Sequence, residues 1–158
     1  MANTQSMCTS FMGELMTATH NFGTAPTRGT SAADAFKAAL YLTSETVNAA
    51  TTAYSASNEV SGTGYTAGGV AVTIANPPTA TNSSATAGVA FFTPSASITY
   101  TTVTLSTAFD AVLIYNSTQS NKAVSVHTFG SQTITAGTFT LTMPADTTST
   151  ALLRLSTT

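Results

Sequence analysis

Hydrophobic positions along the chain follow two periods. Near the start, Phe11, Met12, Leu15 and Met16 recur at i, i+1, i+4 and i+5, one stripe of a helix, and this spacing predicts a helix over 8–20. Thr9 or Ser10 can cap its start, and Asn21 followed by Gly23 can end it. Residues 1–7 read as a polar tail and 23–34 as a loop rich in Gly, Pro, Thr and Ser. From residue 35 the period becomes two. Phe36, Ala38, Leu40 and Leu42 share one face, and Val70, Val72 and Ile74 repeat the pattern. So do Val89 with Phe91, the Thr- and Tyr-rich run Ile98–Leu105, Asp110–Tyr115, Val124 with Val126, and Phe139–Met143. Leu152–Leu155 can add a last strand. Seven or eight short strands broken by Gly, Asn, Ser and Pro predict a mainly β chain. Its expected form is a single antiparallel β-sandwich or jelly-roll-like domain over 8–158, with a short N-terminal α-helix.

Turn chemistry locates the connections. Asn116–Asn121 joins the strand at 109–115 to one at 123–129, and Ala136-Gly137 reads as a turn before 138–143. Ala75–Ser84 reads as a rigid polar loop, because Pro77 and Pro78 cannot donate to a ladder. Thr46–Ala53 is a candidate helical turn, and Glu59–Gly69 (EVSGTGYTAGG) a tight or flexible loop.

Composition narrows the function classes. Ten of 158 residues are charged, where about a quarter is usual, while 53 are Ser or Thr. Four basic residues and a net charge of −2 give no stripe to track phosphates and no patch for an anionic membrane. The longest apolar runs, Ala38–Leu42 and Ala111–Tyr115, are far below the ~20 residues of a membrane-spanning helix. Leu, Ile, Val and Phe total 30 residues, so the core is thin and contacts with other subunits are expected to help. One cysteine, Cys8, excludes an intrachain disulfide framework. No basic segment precedes an apolar run at the start, so no secretory signal is read there.

Candidate chemistry is sparse. Gly62-x-Gly64-x-x-Ala67 matches the outline of a dinucleotide fingerprint, but the residues after it alternate as a strand. The helix N-terminus that would meet a pyrophosphate is missing. Of two histidines, His20 suits a helix C-terminus and His127 a strand face, neither in a hydrolase or zinc-ligand context. The six acids (Glu14, Asp34, Glu45, Glu59, Asp110 and Asp146) are scattered singly, with no paired carboxylates. Glu59 can pin the glycine loop by accepting backbone N–H bonds, and Asp110 can cap a turn into the strand at 111–115. Tyr41, Tyr54, Tyr65, Tyr100 and Tyr115 could line a sugar-binding face, yet tyrosine on strands packs well whatever the function. No enzyme, cofactor or metal is expected. The candidate interface residues are Phe11, Met12, Leu15 and Met16 on the helix, with Tyr65 and Tyr100.

Several segments carry a family resemblance. Cys8-Thr9-Ser10-Phe11, His20-Asn21-Phe22-Gly23, Lys37-Ala38-Ala39-Leu40-Tyr41 and Glu59-Val60-Ser61-Gly62-Thr63-Gly64-Tyr65 occur in that order. Ala111-Val112-Leu113-Ile114-Tyr115-Asn116-Ser117-Thr118 and Ser120-Asn121-Lys122-Ala123-Val124 follow. Together they resemble small virion structural proteins of tailed bacteriophages, which open with a helix and continue as a β-sandwich. The resemblance implies a place in the virion, after synthesis in the bacterial cytoplasm, as a capsid decoration (cement) protein or a tail, neck or fibre-base component. The partners it implies are other virion proteins (the major capsid protein, or tail and neck proteins) and further copies of the chain; the charge count already leads to the expectation of no nucleic acid and no membrane. A carbohydrate-binding, adhesin-like module for host recognition is the reading from a different class.

Overall fold

The computed structural model describes residues 3–16, 18–22, 33–81, 88–94 and 97–156, leaving aside the side chains of Met12 and Met16. In chain order these form β1 (Ser6–Met7), α1 (Thr9–Met16), β2 (Phe36–Leu42), β3 (Val70–Val72) and β4 (Thr79–Ala80). β5 (Val89–Phe92), β6 (Ser97–Asn116), β7 (Lys122–Thr142) and β8 (Leu153–Ser156) complete the set. Every strand pairing is antiparallel. One sheet has the order β1-β7-β6-β2-β3 and a smaller one the order β4-β5-β8. The protein is therefore mainly β, with a short N-terminal helix, and no helix among the described residues is long and apolar enough to cross a membrane.

The centre of the larger sheet lies where β2 (FKAALYL) pairs with the 109–116 part of β6. From Ala111 to Asn116 β6 is buried on both faces, which is why its alternation gives way there to a continuous apolar run. Each Leu, Val or Ile buried in this way contributes about 1.5–3 kcal/mol. Earlier in β6 burial is one-sided. Ile98, Tyr100, Val103, Leu105 and Phe109 point inward while Ser97, Thr99, Thr101 and Ser106 face solvent.

Two pairs of expected strands prove to be single long ones. The segments 98–105 and 110–115 both belong to β6, and 123–129 and 138–143 largely merge into β7. Ala136-Gly137 is therefore not a hairpin turn. It lies inside β7, where Ala136 has φ 46° and Gly137 sits opposite Val103. The real turn between the two strands is the expected one at 116–121, with Ser120 and Asn121 in the left-handed region.

The β6–β7 ribbon also folds back on itself. Along a straight strand Phe129 and Phe139 would lie about 33 Å apart. Their ring centroids are 4.9 Å apart, and both rings meet Phe109. Four of the ribbon's five register shifts fall between Tyr100 and Ala111, and Thr102 takes φ 54°. Bulges of this kind bend a strand and sharpen its twist. The bend brings Tyr100 back over the larger sheet, where its hydroxyl donates to the Ala38 carbonyl at 2.8 Å.

Other expectations are corrected locally. The helix stops at Met16, not at residue 20. Ala18 takes φ 54°, its N–H bonds to the Leu15 carbonyl, and the Thr19 N–H bonds to the Glu14 carbonyl. That is a Schellman ending with alanine where glycine is usual. Residues 3–7 of the polar tail are docked: Ser6–Met7 pair with β7, and Asn3 bonds to Val47 N–H and to Asp110. No helix forms at 46–53, but a single hydrogen-bonded turn does: the Thr51 N–H bonds to the Asn48 carbonyl at 3.0 Å, and the Asn48 side chain accepts from the Ala50 N–H. Within 75–84, Thr79–Ala80 pair with β5 despite the prolines beside them, while 82–84 and most of the loop expected at 23–34 lie outside the described residues.

Candidate functional site

Glu59 organises one buried polar cluster. It follows an Asn58 at φ 54° and is itself almost fully buried. Its Oε1 accepts from the Tyr65 hydroxyl at 2.6 Å and the Gly68 N–H at 2.8 Å, and its Oε2 from the Tyr54 hydroxyl at 2.7 Å. The expectation that Glu59 pins the glycine loop through a backbone N–H is met at Gly68. The other tyrosines extend the cluster. Tyr115 donates to the Gly68 carbonyl and stacks on Tyr54, Tyr65 stacks on Tyr100, and Tyr41 donates to the Ser55 carbonyl. Burial raises the phenol pKa of all five tyrosines, reinforced by the negative charge of Glu59. The loop itself is cut to fit. Gly69 has φ 73°, and a Cβ there would sit 1.6 Å from the Ala38 carbonyl oxygen.

A second cluster clasps the helix to the β6–β7 turn. His20 lies inside, edge-on to Phe11, and its Nε2 meets Glu14 Oε2 at 2.7 Å. Lys122 donates to Glu14 Oε1 at 2.6 Å. Asn116 Nδ2 lies 3.1 Å from His20 Nδ1 and donates to Asp34 Oδ2 at 2.7 Å. Burial works to raise the Glu14 carboxyl pKa, but the bonds and charges of Lys122 and His20 hold it below the usual range. His20 is therefore a buried link and not a helix cap, because the helix ends four residues before it. Asp110 likewise caps no turn: it lies within β6 and accepts from Asn3 Nδ2.

The third grouping borders open space. A cleft of about 650 Å³ lies among Gln5–Met7, Ser125–Thr128, Leu141–Pro144 and Thr150–Leu152. Ser125 Oγ stands 3.0 Å from His127 Nε2, and desolvation pushes the imidazole pKa down to about 4. The pair contains two parts of a nucleophile–base arrangement, yet Ser125 is only 2% exposed, and the six acids make their bonds elsewhere. Among the described residues, no three His, Cys, Asp or Glu side chains gather where they could hold a metal ion. Cys8 is buried, its thiol pKa pushed up to about 11 by burial and then by the charge of Glu14.

The candidate interface residues separate. Phe11 and Tyr100 are 0% and 1% exposed, inside the chain, and Leu15 and Tyr65 are partly buried. The side chains of Met12 and Met16 lie outside the described residues. The tyrosines gather at Glu59 and form no open aromatic face. The alternation at 124–127 places Ser125 and His127 on one strand face, and the fold brings them within hydrogen-bond reach. Sequence reading missed the Asn116 link, for which a lone Asn at a strand end gives no distinctive signal. No family model matches the chain, and no curated protein and no solved structure matches it.

Proposed function

We propose that this chain is a non-enzymatic structural protein of a tailed-bacteriophage virion, a capsid decoration protein that braces the head by contacts with major-capsid subunits and with its own copies. One observation carries the reading. The β6–β7 ribbon presents exposed Ser97, Thr99, Thr101, Thr133, Thr138, Thr140 and Thr142, with no charged residue from Ala123 to Ala145. Such a surface packs against closely spaced neighbours without accumulating repulsion. The acids are instead bonded within the chain. Glu14, Asp34, Glu45, Glu59, Asp110 and Asp146 each accept a hydrogen bond from another segment of the chain.

The resemblance in the segments from Cys8 to Val124 supports the same reading, and the bent ribbon over the five-stranded sheet suits a sandwich-like closure. The carbohydrate-binding alternative loses its main support, because the rings it would use for stacking are buried at Tyr41, Tyr100 and Tyr115, and Tyr54 and Tyr65 stack on Tyr115 and Tyr100. Quantitative mass spectrometry of purified particles from the encoding phage tests the proposal. Copies in the hundreds are expected. About a dozen or fewer moves the chain to the neck, tail or fibre base, and its absence from particles ends the virion reading.

A further inference from the structure

The cleft beside β1 brings together two thioethers and an imidazole. The Cys8 N–H bonds to the Val124 carbonyl, so in this antiparallel ladder Met7 and Ser125 form the next, non-hydrogen-bonded pair, their side chains close together on one face. His127 stands two residues on, on that same face and diagonal to Met7, at a Cβ separation of about 7 Å that long side chains span. Met143 is 6% exposed and follows the end of β7 after the bend, and all three residues wall the same cleft. His127 Nε2 is taken by the Ser125 hydroxyl at 3.0 Å. Its Nδ1 makes no bond among the described residues, and it is not sealed from solvent, since Ser10 Oγ is the one sealed and unbonded polar side-chain atom among them. An imidazole fixed through one nitrogen, with the other open to a cleft, has the form of a metal ligand whose outer-shell partner is in place.

We propose that Met7 Sδ, Met143 Sδ and His127 Nδ1 form a three-coordinate site for a soft monovalent ion, Cu(I) or Ag(I). The donor set selects the ion. Thioether and imidazole suit Cu(I), whereas no carboxylate and no thiol borders the cleft to hold Mg(II), Ca(II) or Zn(II). Methionine has three rotatable bonds, so both sulfurs can swing to a common point beside the ring. An ion bound there ties β1 and the first arm of β7 to the segment that returns after the bend, across what is otherwise open space. The site is a structural clamp, and it stands independently of where the chain sits in a particle.

Titration of the full, reduced chain with Ag(I), and with Cu(I) against a chromogenic Cu(I) chelator, tests the proposal. Native mass spectrometry should show one ion per chain. In methyl NMR of the wild type, two of the five methionine εCH3 signals shift, those of Met7 and Met143. Met7→Leu, Met143→Leu and His127→Gln each weaken binding by about tenfold or more, a loss that outer-shell partners alone can reach. Leucine conserves the volume of methionine, and unchanged melting temperatures of the metal-free variants separate a lost ligand from a lost fold. Cys8→Ala retains binding, because its thiol is buried and does not border the cleft. No binding, shifts at other methionines instead, binding indifferent to all three substitutions, or binding abolished by Cys8→Ala overturns the proposal.

Discussion

Replacing Glu59 by alanine removes the acceptor for three donors at once: the Tyr65 hydroxyl, the Gly68 N–H and the Tyr54 hydroxyl. Gly68 is buried and Tyr65 mostly so, and a buried donor left unpaired costs about 1–3 kcal/mol. Tyr54 is nearer the surface and can turn to water. Counting the first two in full gives a destabilisation of about 2–6 kcal/mol for Glu59→Ala. Glu59→Gln keeps an acceptor and the side-chain length, and the phenols can reorient, so its cost is about 1 kcal/mol. Urea unfolding followed by tyrosine fluorescence suits a chain with five tyrosines and no tryptophan. Tyr65→Phe provides the partner for a double-mutant cycle, with a coupling of about 0.5–3 kcal/mol expected between positions 59 and 65. If Glu59→Ala unfolds within about half a kcal/mol of the wild type, or the coupling is absent, Glu59 does not hold the loop.

Gly69→Ala should cost about 3 kcal/mol or more, since its φ is 73° and the new methyl would meet the Ala38 backbone. Gly130→Ala, with nothing within 4 Å of the added carbon, should leave the denaturation midpoint unchanged. The tyrosines titrate higher folded than unfolded, so the stability this contributes is present below the unfolded pKa near 10 and is lost as pH rises above it. Spectrophotometric titration should show tyrosinate forming in one step coincident with unfolding, and gradual ionisation of the folded protein around pH 10 would contradict the buried cluster. The His127 imidazole is depressed to about 4, so the unfolded chain binds the extra proton first and stability is lost as pH falls from about 6.5 towards 4. His127→Gln should flatten that part of the pH–stability curve, and an unaltered acid limb would count against burial of the ring.

Strand identity was largely legible in the sequence because period-two patterning survives wherever one face is buried, as in Ser97–Thr101. Strand length was not. Ala136-Gly137 looks like turn chemistry, and the residues that make a turn also make the bulges that bend a continuous strand. The helix end was hidden for a similar reason. Ala18 adopts the conformation normally signalled by glycine, so the boundary carries no glycine mark. Of the polar clusters, Glu59 was legible because a lone acid in an uncharged, glycine-rich stretch needs a structural partner. Its two tyrosine donors, Tyr54 and Tyr65, lie five and six residues away along the chain, whereas the rings that stack on them, Tyr115 and Tyr100, come from β6 and are brought alongside only by the fold.

The decoration assignment is tested most directly by an image reconstruction of the encoding phage particle, with the chain fitted to its density. The account predicts density for the chain on the outer capsid surface, bridging major-capsid subunits, with the β6–β7 ribbon against neighbouring protein and α1 tied to the β6–β7 turn. Density at the neck, tail or fibre base, or none anywhere in the particle, would contradict it.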